Sequence, residues 1–226
     1  MGNTYHAKTI RTYTNGWSFE PATLDDIPAM LEIEKLYFET KIAFTEDQLK
    51  AWIEFNPNMF YVVKKDNHVE AFTAIAPITE ECYGKLQDGL LNDMKYFKSE
   101  DFASDRSLKY CYFADIATRS KNDKNTCLPT DSLLIFVGIV SILLDKNKKN
   151  GASYVATTPV TNEGVTGAKL FGFKINGKDN PQKEINCFVN VDLVRENAMA
   201  VIDFMNRMLI KRGITEIEHI QGLEKR

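Results

Sequence analysis

The chain has 226 residues, of which 44% are hydrophobic, 26% charged and 11% aromatic, and its formal net charge is −3. The aromatic content excludes a disordered chain, and the slightly acidic balance gives no basic field that would attract nucleic acid. The 4 cysteines lack a Cys-x-x-Cys spacing and the 3 histidines are isolated, so no metal site is indicated and the thiols are expected to be reduced. The apolar run at 133–144 is too short to cross a bilayer, and the N-terminus carries no signal-peptide pattern. We therefore expect a soluble cytoplasmic protein that binds neither membrane nor nucleic acid.

Hydrophobic periodicity and turn residues predict a mixed sheet with helices on both faces, in the order β-α-α-β-β-β-α-β-α-β followed by a last helix. In chain order these are a strand at 17–23, helices at 24–40 and 46–55, strands at 59–65 and 69–78, a strand at 109–118, a helix at 131–149, a strand at 153–159, a short helix at 162–173, a strand at 184–193 and a helix at 195–212. Between the third and fourth strands, residues 79–108 form a long polar stretch with one possible short helix at 85–95. Since no convincing linker divides the chain, the sequence predicts a single domain.

Two motifs in this order resemble the GCN5-related N-acetyltransferase (GNAT) superfamily. "FEPATLDDIPAMLEIEKLYF" is similar to the opening strand and helix of that family. "TTPVTNEGVTGAKLFGFKING" resembles its strand, Asn-started helix and Gly-Phe exit beside the cofactor. The resemblance implies an α/β fold with a mixed sheet, a core at about 17–193, an insertion at 79–108 and a C-terminal extension at 194–226. It also implies an acetyl-CoA co-substrate, no metal, and transfer of an acetyl group to a primary amine.

The segment before the central helix departs from the family pattern. Family members usually carry a glycine-rich loop there, whose backbone amides bind the CoA pyrophosphate, whereas residues 119–130 lack both glycines. Arg119 and Lys124 are expected to supply positive charge, and Asp131 is a good helix cap but a poor neighbour for a diphosphate. The resemblance implies that the donor is bound by Ile116, Ala117, Thr118, Arg119, Lys124, Asn125, Thr126, Thr130, Asp131, Ser132 and Asn162. The tyrosine that serves many members as general acid is replaced by Ala168, so the general acid is unassigned.

Asp115 is the candidate catalytic base, because it lies inside an otherwise apolar strand. Strict alternation places it on one face with Cys111, Phe113 and Ala117, and Ile116 on the other face. Desolvation there would raise its pKa towards that of a useful base, acting directly or through a water; the alternative is an aspartate paired with the neighbouring loop. The family resemblance further implies that the strands at 109–118 and 153–158 splay apart, which would leave backbone amides near Ile116 and Ala117 to polarise the thioester oxygen.

Two glycines in the short helix, Gly164 and Gly167, indicate a close neighbour, either a cofactor or the packing of the helix on the sheet. Acceptor choice is assigned to residues 79–108, which are too apolar for a free linker. The residues expected to bind the acceptor are Tyr37, Phe38, Phe44, Tyr83 and Tyr96, with core packing as the alternative.

The function stays open between three classes. The first is an acyl-CoA-dependent N-acyltransferase acting on a small-molecule or peptide amine. The second is a related enzyme whose acyl donor is long-chain or bound to a carrier protein, and the third is a catalytically silent binding domain of this fold. A homodimer is compatible with all three.

Overall fold

The computed structural model describes residues 10–37, 44–104, 108–120, 128–144, 152–159, 162–175 and 186–217. Within these ranges one nine-stranded sheet has the order β7-β8-β6-β5-β4-β3-β2-β1-β9. The strands are β1 (Arg11–Tyr13), β2 (Trp17–Pro21), β3 (Phe60–Lys65), β4 (His68–Pro77), β5 (Tyr110–Thr118), β6 (Tyr154–Thr157), β7 (Lys174–Ile175), β8 (Cys187–Asn190) and β9 (Glu216–Ile217). The helices are α1 (Ile27–Glu34), α2 (Glu46–Phe55), α3 (Glu80–Gln87), α4 (Thr130–Leu144), α5 (Asn162–Leu170) and α6 (Val191–Lys211). Among the described strand pairs, β5 and β6 run parallel and the others run antiparallel. The helix α4 lies between β5 and β6 in the chain.

A reciprocal side-chain cap fixes where the second helix begins. Thr45 accepts the N–H of Gln48 while the Gln48 side chain accepts the N–H of Thr45, and α2 follows as predicted at 46–55. The helix predicted at 24–40 is shorter. Its first three residues, 24–26, form a turn of 3₁₀ helix, α1 ends at Glu34, and 38–40 lie outside the described residues.

The predicted hairpin around residues 66–68 is confirmed as β3 and β4. Asp66 and Asn67 both have positive φ, 48° and 67°. Two consecutive left-handed residues produce the tight turn whose twist matches that of the flanking strands, and Asp and Asn tolerate this conformation better than most residues.

The last third of the chain differs from the prediction in its boundaries. The strand predicted at 184–193 ends at Asn190, whose side chain accepts the N–H of Asp192 and caps α6. The helix predicted at 195–212 therefore begins at Val191 instead, because a polar cap outweighs the apolar residues that follow it. The helix predicted at 131–149 is described as far as Leu144, and residues 145–149 lie outside the described residues. At the described end of this helix, Arg195 of α6 donates to the carbonyl of Leu144.

The sheet separates two hydrophobic cores. One face packs on α4 and α6, with Tyr61, Val63 and Ile75 pointing towards them. The opposite face packs on α1, α2 and the inserted segment 79–104. The strand β4 lies between these two cores, so its residues from Ala71 to Pro77 are buried on both faces and nearly all apolar.

The insertion belongs to the second core. Its helix is α3 at 80–87, not the one predicted at 85–95, because Thr79 accepts the N–H of Cys82 and starts the helix earlier. Met94 and Leu86 are fully buried, and Phe102 bridges to Ile78 beside β4. Replacing this segment by a flexible link would therefore open the second core.

No helix in the described part of the chain is long and apolar enough to cross a membrane. Over the same residues there is no group of three or more His, Cys, Asp or Glu side chains suited to hold a metal ion.

Candidate active site

The central feature of the sheet is an opening between β5 and β6. The two strands pair only at Tyr110↔Tyr154, Cys111↔Val155 and Tyr112↔Ala156. Beyond Tyr112, β5 continues to Thr118 beside β4, while β6 pairs with β8 as far as Thr157. Pairing between the two strands therefore ends early in β5, as the predicted splay requires, and β6 itself ends one residue later. Along Phe113–Thr118, alternate N–H and C=O groups point away from β4 and into the opening, where no described strand takes them up.

A β-bulge lies at Asp115, halfway along the open stretch of β5. Thr73 pairs with Ile116 and the next residue, Ala74, pairs with Ala114, so Asp115 is the extra residue of the bulge. Such a residue breaks the ladder and bends and twists its strand, which bears directly on how β5 leaves β6. The buried Thr73 hydroxyl donates to the carbonyl of Ala114 at 3.3 Å, next to the bulge.

The bulge also corrects the predicted alternation. Ile116 packs against the α4 face, together with Cys111 and Phe113, whereas Ala117 packs on the opposite face, together with Ala114. The prediction placed both Ile116 and Ala117 on the wrong faces, because one inserted residue reverses every side chain that follows it. The backbone of Asp115 is described but its side chain is not, so its role as a base stays a prediction.

The C-terminal end of β5 joins two of the predicted site residues. Tyr37, in the turn after α1, donates its hydroxyl to the Thr118 carbonyl at 2.6 Å and lies 3.2 Å from the Thr118 hydroxyl. Tyr37 is half-exposed while Thr118 is buried. The phenol thus lies at the end of the opening, with one side to solvent.

Arg119 points away from the start of α4. Its guanidinium contacts Glu32 of α1 at 3.4 Å and Glu70 of β4 at 3.9 Å, and its Nε donates to the carbonyl of Val69. Two carboxylates therefore balance the cation that the sequence assigned to a diphosphate. These pairs are largely exposed, so solvent screens them and each contributes little to stability.

The N-terminus of α4 is closed by Asp131. This carboxylate is fully buried, and it accepts the N–H of Ser132 at 2.7 Å and the N–H of Ser120 at 3.2 Å. Arg212, at the end of α6, donates to the Thr130 hydroxyl at 3.1 Å. Four predicted donor-binding residues, Thr118, Thr130, Asp131 and Ser132, thus lie close to one another, whereas 121–127, with Lys124, Asn125 and Thr126, lie outside the described residues.

Helix α5 begins at Asn162, whose side chain is not described. A Cβ placed on Gly167 would meet Phe136 at 3.9 Å, an ordinary contact distance, so tight packing does not explain that glycine. Gly172 is different. It has φ +80°, and a Cβ there would lie 2.6 Å from Val194, so both its conformation and its contact with α6 require glycine.

The predicted acceptor residues separate into buried and exposed groups. Phe44 packs edge-on against Trp52, with ring centroids 5.3 Å apart, and Tyr83 is buried against Phe188. Packing accounts for both. Tyr96 is exposed, under the ammonium of Lys95, and Phe38 lies outside the described residues.

Asn186, which the sequence analysis did not single out, ties the insertion to the opening. Its amide nitrogen donates to the carbonyls of Leu86 and Leu91 at 2.8 and 3.0 Å, and its oxygen accepts from Thr158 at 2.7 Å, just past β6. Nearby, Tyr112, the last β5 residue paired with β6, donates to the carbonyl of Asn92 at 3.2 Å. The insertion therefore borders the opening on the face opposite α4. A polar residue directly before an apolar strand was the signal available in the sequence.

The sequence matches no protein-family model and no curated protein. Its structure, however, is similar to solved structures of very different sequence. The GNAT-like decarboxylase GphF, in complex with isobutyryl-CoA, has 11% identity and a TM-score of 0.54, over 76% of this chain and 98% of that one. The loading GNATL domain of CurA from Lyngbya majuscula has 8% identity and a TM-score of 0.52, over 78% and 98%. An uncharacterized protein from Bacillus halodurans has 12% identity and a TM-score of 0.50, over 85% and 96%. These likenesses confirm the predicted fold class.

Proposed function

We propose that this chain, whose fold is that of the GNAT superfamily, is an N-acyltransferase that moves an acyl group, in the simplest case acetyl, from acyl-CoA to a primary amine. The observation that carries the proposal is the separation of β5 from β6 beyond Tyr112. It leaves the backbone groups of a buried strand free to bind a thioester between two layers of helices. Isobutyryl-CoA bound to GphF, which has this fold, supports a CoA thioester as donor.

In this proposal the donor enters from the α4 and α5 side, and the acceptor from the side of α1 and the insertion. The N–H of Ile116 polarises the thioester carbonyl, as in an oxyanion site, whereas the N–H of its neighbour Ala117 faces Phe72 of β4. The amine nitrogen attacks the carbonyl carbon, the C–S bond breaks, and the electron pair leaves with the CoA sulfur. Asp115, directly or through a water, takes the proton that the amine loses, and a proton from water or a tyrosine neutralises the thiolate.

The acceptor is proposed to be a small-molecule or peptide amine. The segment that borders the opening opposite α4 carries exposed apolar groups, with Leu90 74% and Tyr96 49% exposed. Such groups on a rigid, core-anchored insertion suit an amine with an apolar body, and Asn186 holds this segment against the end of β6.

The first test is the binding of acetyl-CoA, isobutyryl-CoA and free CoA, measured by calorimetry and by the melting temperature. A ligand at 100 times its dissociation constant adds about 2.7 kcal/mol to the free energy of unfolding, which for a chain of this size raises the melting temperature by about 5–10 °C. Absence of heat and of any shift with all three compounds would contradict the proposal.

The second test is turnover with a panel of primary amines, followed as free CoA thiol. Asp115→Asn is expected to lower kcat by about 10²- to 10⁴-fold while the dissociation constant for acetyl-CoA stays unchanged. Asp203→Asn, an exposed residue of α6, is the matched control and is expected to leave both constants unchanged. Equal rates for the two variants would remove Asp115 from the mechanism.

One observation favours a second candidate. The Asp131 carboxylate already occupies the N–H groups of Ser120 and Ser132 at the start of α4. A donor that carries no nucleotide diphosphate, such as an acyl group on a carrier protein, would not need them. Transfer to an amine from such a donor, with none from acetyl-CoA, would decide for this candidate.

A further inference from the structure

The start of α4 lies where an α/β protein commonly binds a phosphate, after a strand and at the positive end of a helix. Here a carboxylate of the chain itself takes part of that position. Asp131, with 0% exposure, holds the N–H of Ser132 and the N–H of Ser120 on its two carboxylate oxygens. The N–H of Leu133 makes the first bond within the helix, to the carbonyl of Pro129 at 3.0 Å, so Ser132 is the last residue of the first turn whose N–H the helix itself does not use.

Among the residues that the structure describes, the charges around this end also disfavour a second anion. The helix terminus carries about half a positive charge, which one carboxylate already compensates. A diphosphate placed here would face the buried Asp131 carboxylate at short range, where water screens the repulsion poorly. The guanidinium of Arg119 lies beside Glu32 and Glu70, which compensate part of its charge. Arg212 brings one positive charge to Thr130, beside the one negative charge of Asp131.

The opening between β5 and β6, in contrast, keeps its binding capacity. The free edge of β5 from Phe113 to Ala117 offers alternating donors and acceptors, and at its end Tyr37 takes the Thr118 carbonyl. An extended chain that contains amides can add to such an edge as a strand does. The pantetheine arm of a thioester donor is a chain of this kind, because it is linear and carries two amides. On the α5 side, Gly167 leaves the space of a side chain beside Phe136.

We infer that Asp131 is a donor-specificity residue: it takes the anion position at α4, so the donor is recognised through its acyl-pantetheine arm and not through its diphosphate. This inference rests on the proposed acyltransferase function. Acyl-pantetheine is common to CoA thioesters and to the phosphopantetheine of carrier proteins, so both are compatible donors.

The test compares acetyl-CoA with acetyl-pantetheine, which lacks the nucleotide diphosphate, by calorimetry on the full chain. In the unchanged protein the two dissociation constants are expected to agree within about threefold, less than one charge-assisted hydrogen bond would contribute. Asp131→Asn keeps a capping oxygen but removes the charge. In this variant the preference for acetyl-CoA over acetyl-pantetheine, measured as the ratio of their dissociation constants, is expected to be about tenfold greater than in the unchanged protein. The 3′-phosphorylated adenosine diphosphate fragment of CoA should then compete with acetyl-CoA in Asp131→Asn but not in the unchanged protein.

The control is Asp192→Asn, an aspartate in the first turn of α6 whose side chain is 73% exposed, and it is expected to leave the donor preference unchanged. Asp131→Ser, another capping residue, repeats the test if Asp131→Asn folds poorly by circular dichroism. A strong preference of the unchanged protein for acetyl-CoA, or an unaltered preference in both Asp131 variants, overturns the inference and leaves the proposed function standing. If neither thioester binds any variant, the proposed function fails and the inference fails with it. Acetyl-CoA, acetyl-pantetheine and an acetylated carrier protein, compared as substrates, distinguish the two donor sources.

Discussion

The contact between α4 and β2 leaves no room for a side chain at Gly138, and Gly138→Ala tests this directly. A Cβ at that position would lie 2.6 Å from three atoms of the Phe19 ring. Phe19 is fully buried and stacks on Tyr61, with centroids 5.2 Å apart and an interplanar angle of 5°. The ring cannot turn away without losing that stack, so α4 and β2 must separate.

Since carbon atoms in contact are about 3.5–4.0 Å apart, the required displacement is about 1 Å. Overpacking of a confined core site costs about 2–3 kcal/mol, and the better helix propensity of alanine returns about 1 kcal/mol. The net loss of about 1–2 kcal/mol is expected to lower the melting temperature by about 2–8 °C, measured by calorimetry or circular dichroism.

Gly84→Ala is the matched control, because Gly84 lies in α3 and a Cβ there would meet nothing within 4 Å. This change is expected to raise the free energy of unfolding by about 0.5–1 kcal/mol. If Gly138→Ala melts at or above the temperature of the unchanged protein while Gly84→Ala is stabilised, α4 does not lie as close to β2 as we describe.

Three further outcomes are expected. Asn186→Ala should lower the free energy of unfolding by about 2–3 kcal/mol, because it releases the insertion from the end of β6. It should also raise the KM for the acceptor but not the KM for the donor, and an unchanged acceptor KM would show that the insertion does not take part in acceptor binding. Tyr37→Phe removes the hydrogen bond to Thr118 and should lower kcat/KM about fivefold to tenfold, with little change in melting temperature. If the variant is as active as the unchanged protein, the Tyr37 side chain contributes only by packing. Burial, assisted by the Asp101 carboxylate, raises the pKa of Cys82 from 9.0 to about 12. The contribution of this thiol to the free energy of unfolding is therefore complete below pH 9 and is lost between pH 9 and 12. Cys82→Ala should make the free energy of unfolding fall less steeply over that pH range, and an unchanged slope would contradict the raised pKa of Cys82.

Local chemistry predicted much of this fold. The helix at 46–55, the Asp66 and Asn67 turn, and the apolar runs of β5 and α4 each depend on neighbours within a few residues. Such signals are visible in one sequence. The two-residue strands β7 and β9 are not, because they form only where a distant strand offers a free edge.

The candidate site was only partly predictable, for a related reason. The family resemblance implied that β5 and β6 part, and their pairing does end after Tyr112. The bulge at Asp115 depends on how β4 and β5 come into register, 40 residues apart, so periodicity alone placed Ile116 and Ala117 on the wrong faces. Asp131 was recognised as a helix cap, but its hold on the N–H of Ser120 required the folded path of the loop.

The positions of unpaired backbone N–H and C=O groups along the sheet affect whether copies of this protein can associate edge to edge. Both outer strands are two residues long, and each pairs an isoleucine with a charged side chain, Lys174 in β7 and Glu216 in β9. They offer an incoming chain little to hydrogen-bond, which protects against edge-to-edge aggregation. Among the described strands, the long unpaired stretch lies inside, along Phe113–Thr118 and between the two helical layers. A small extended ligand can reach it, whereas the strand of another folded copy cannot, so the sheet keeps a binding edge without the polymerisation that an exposed one invites.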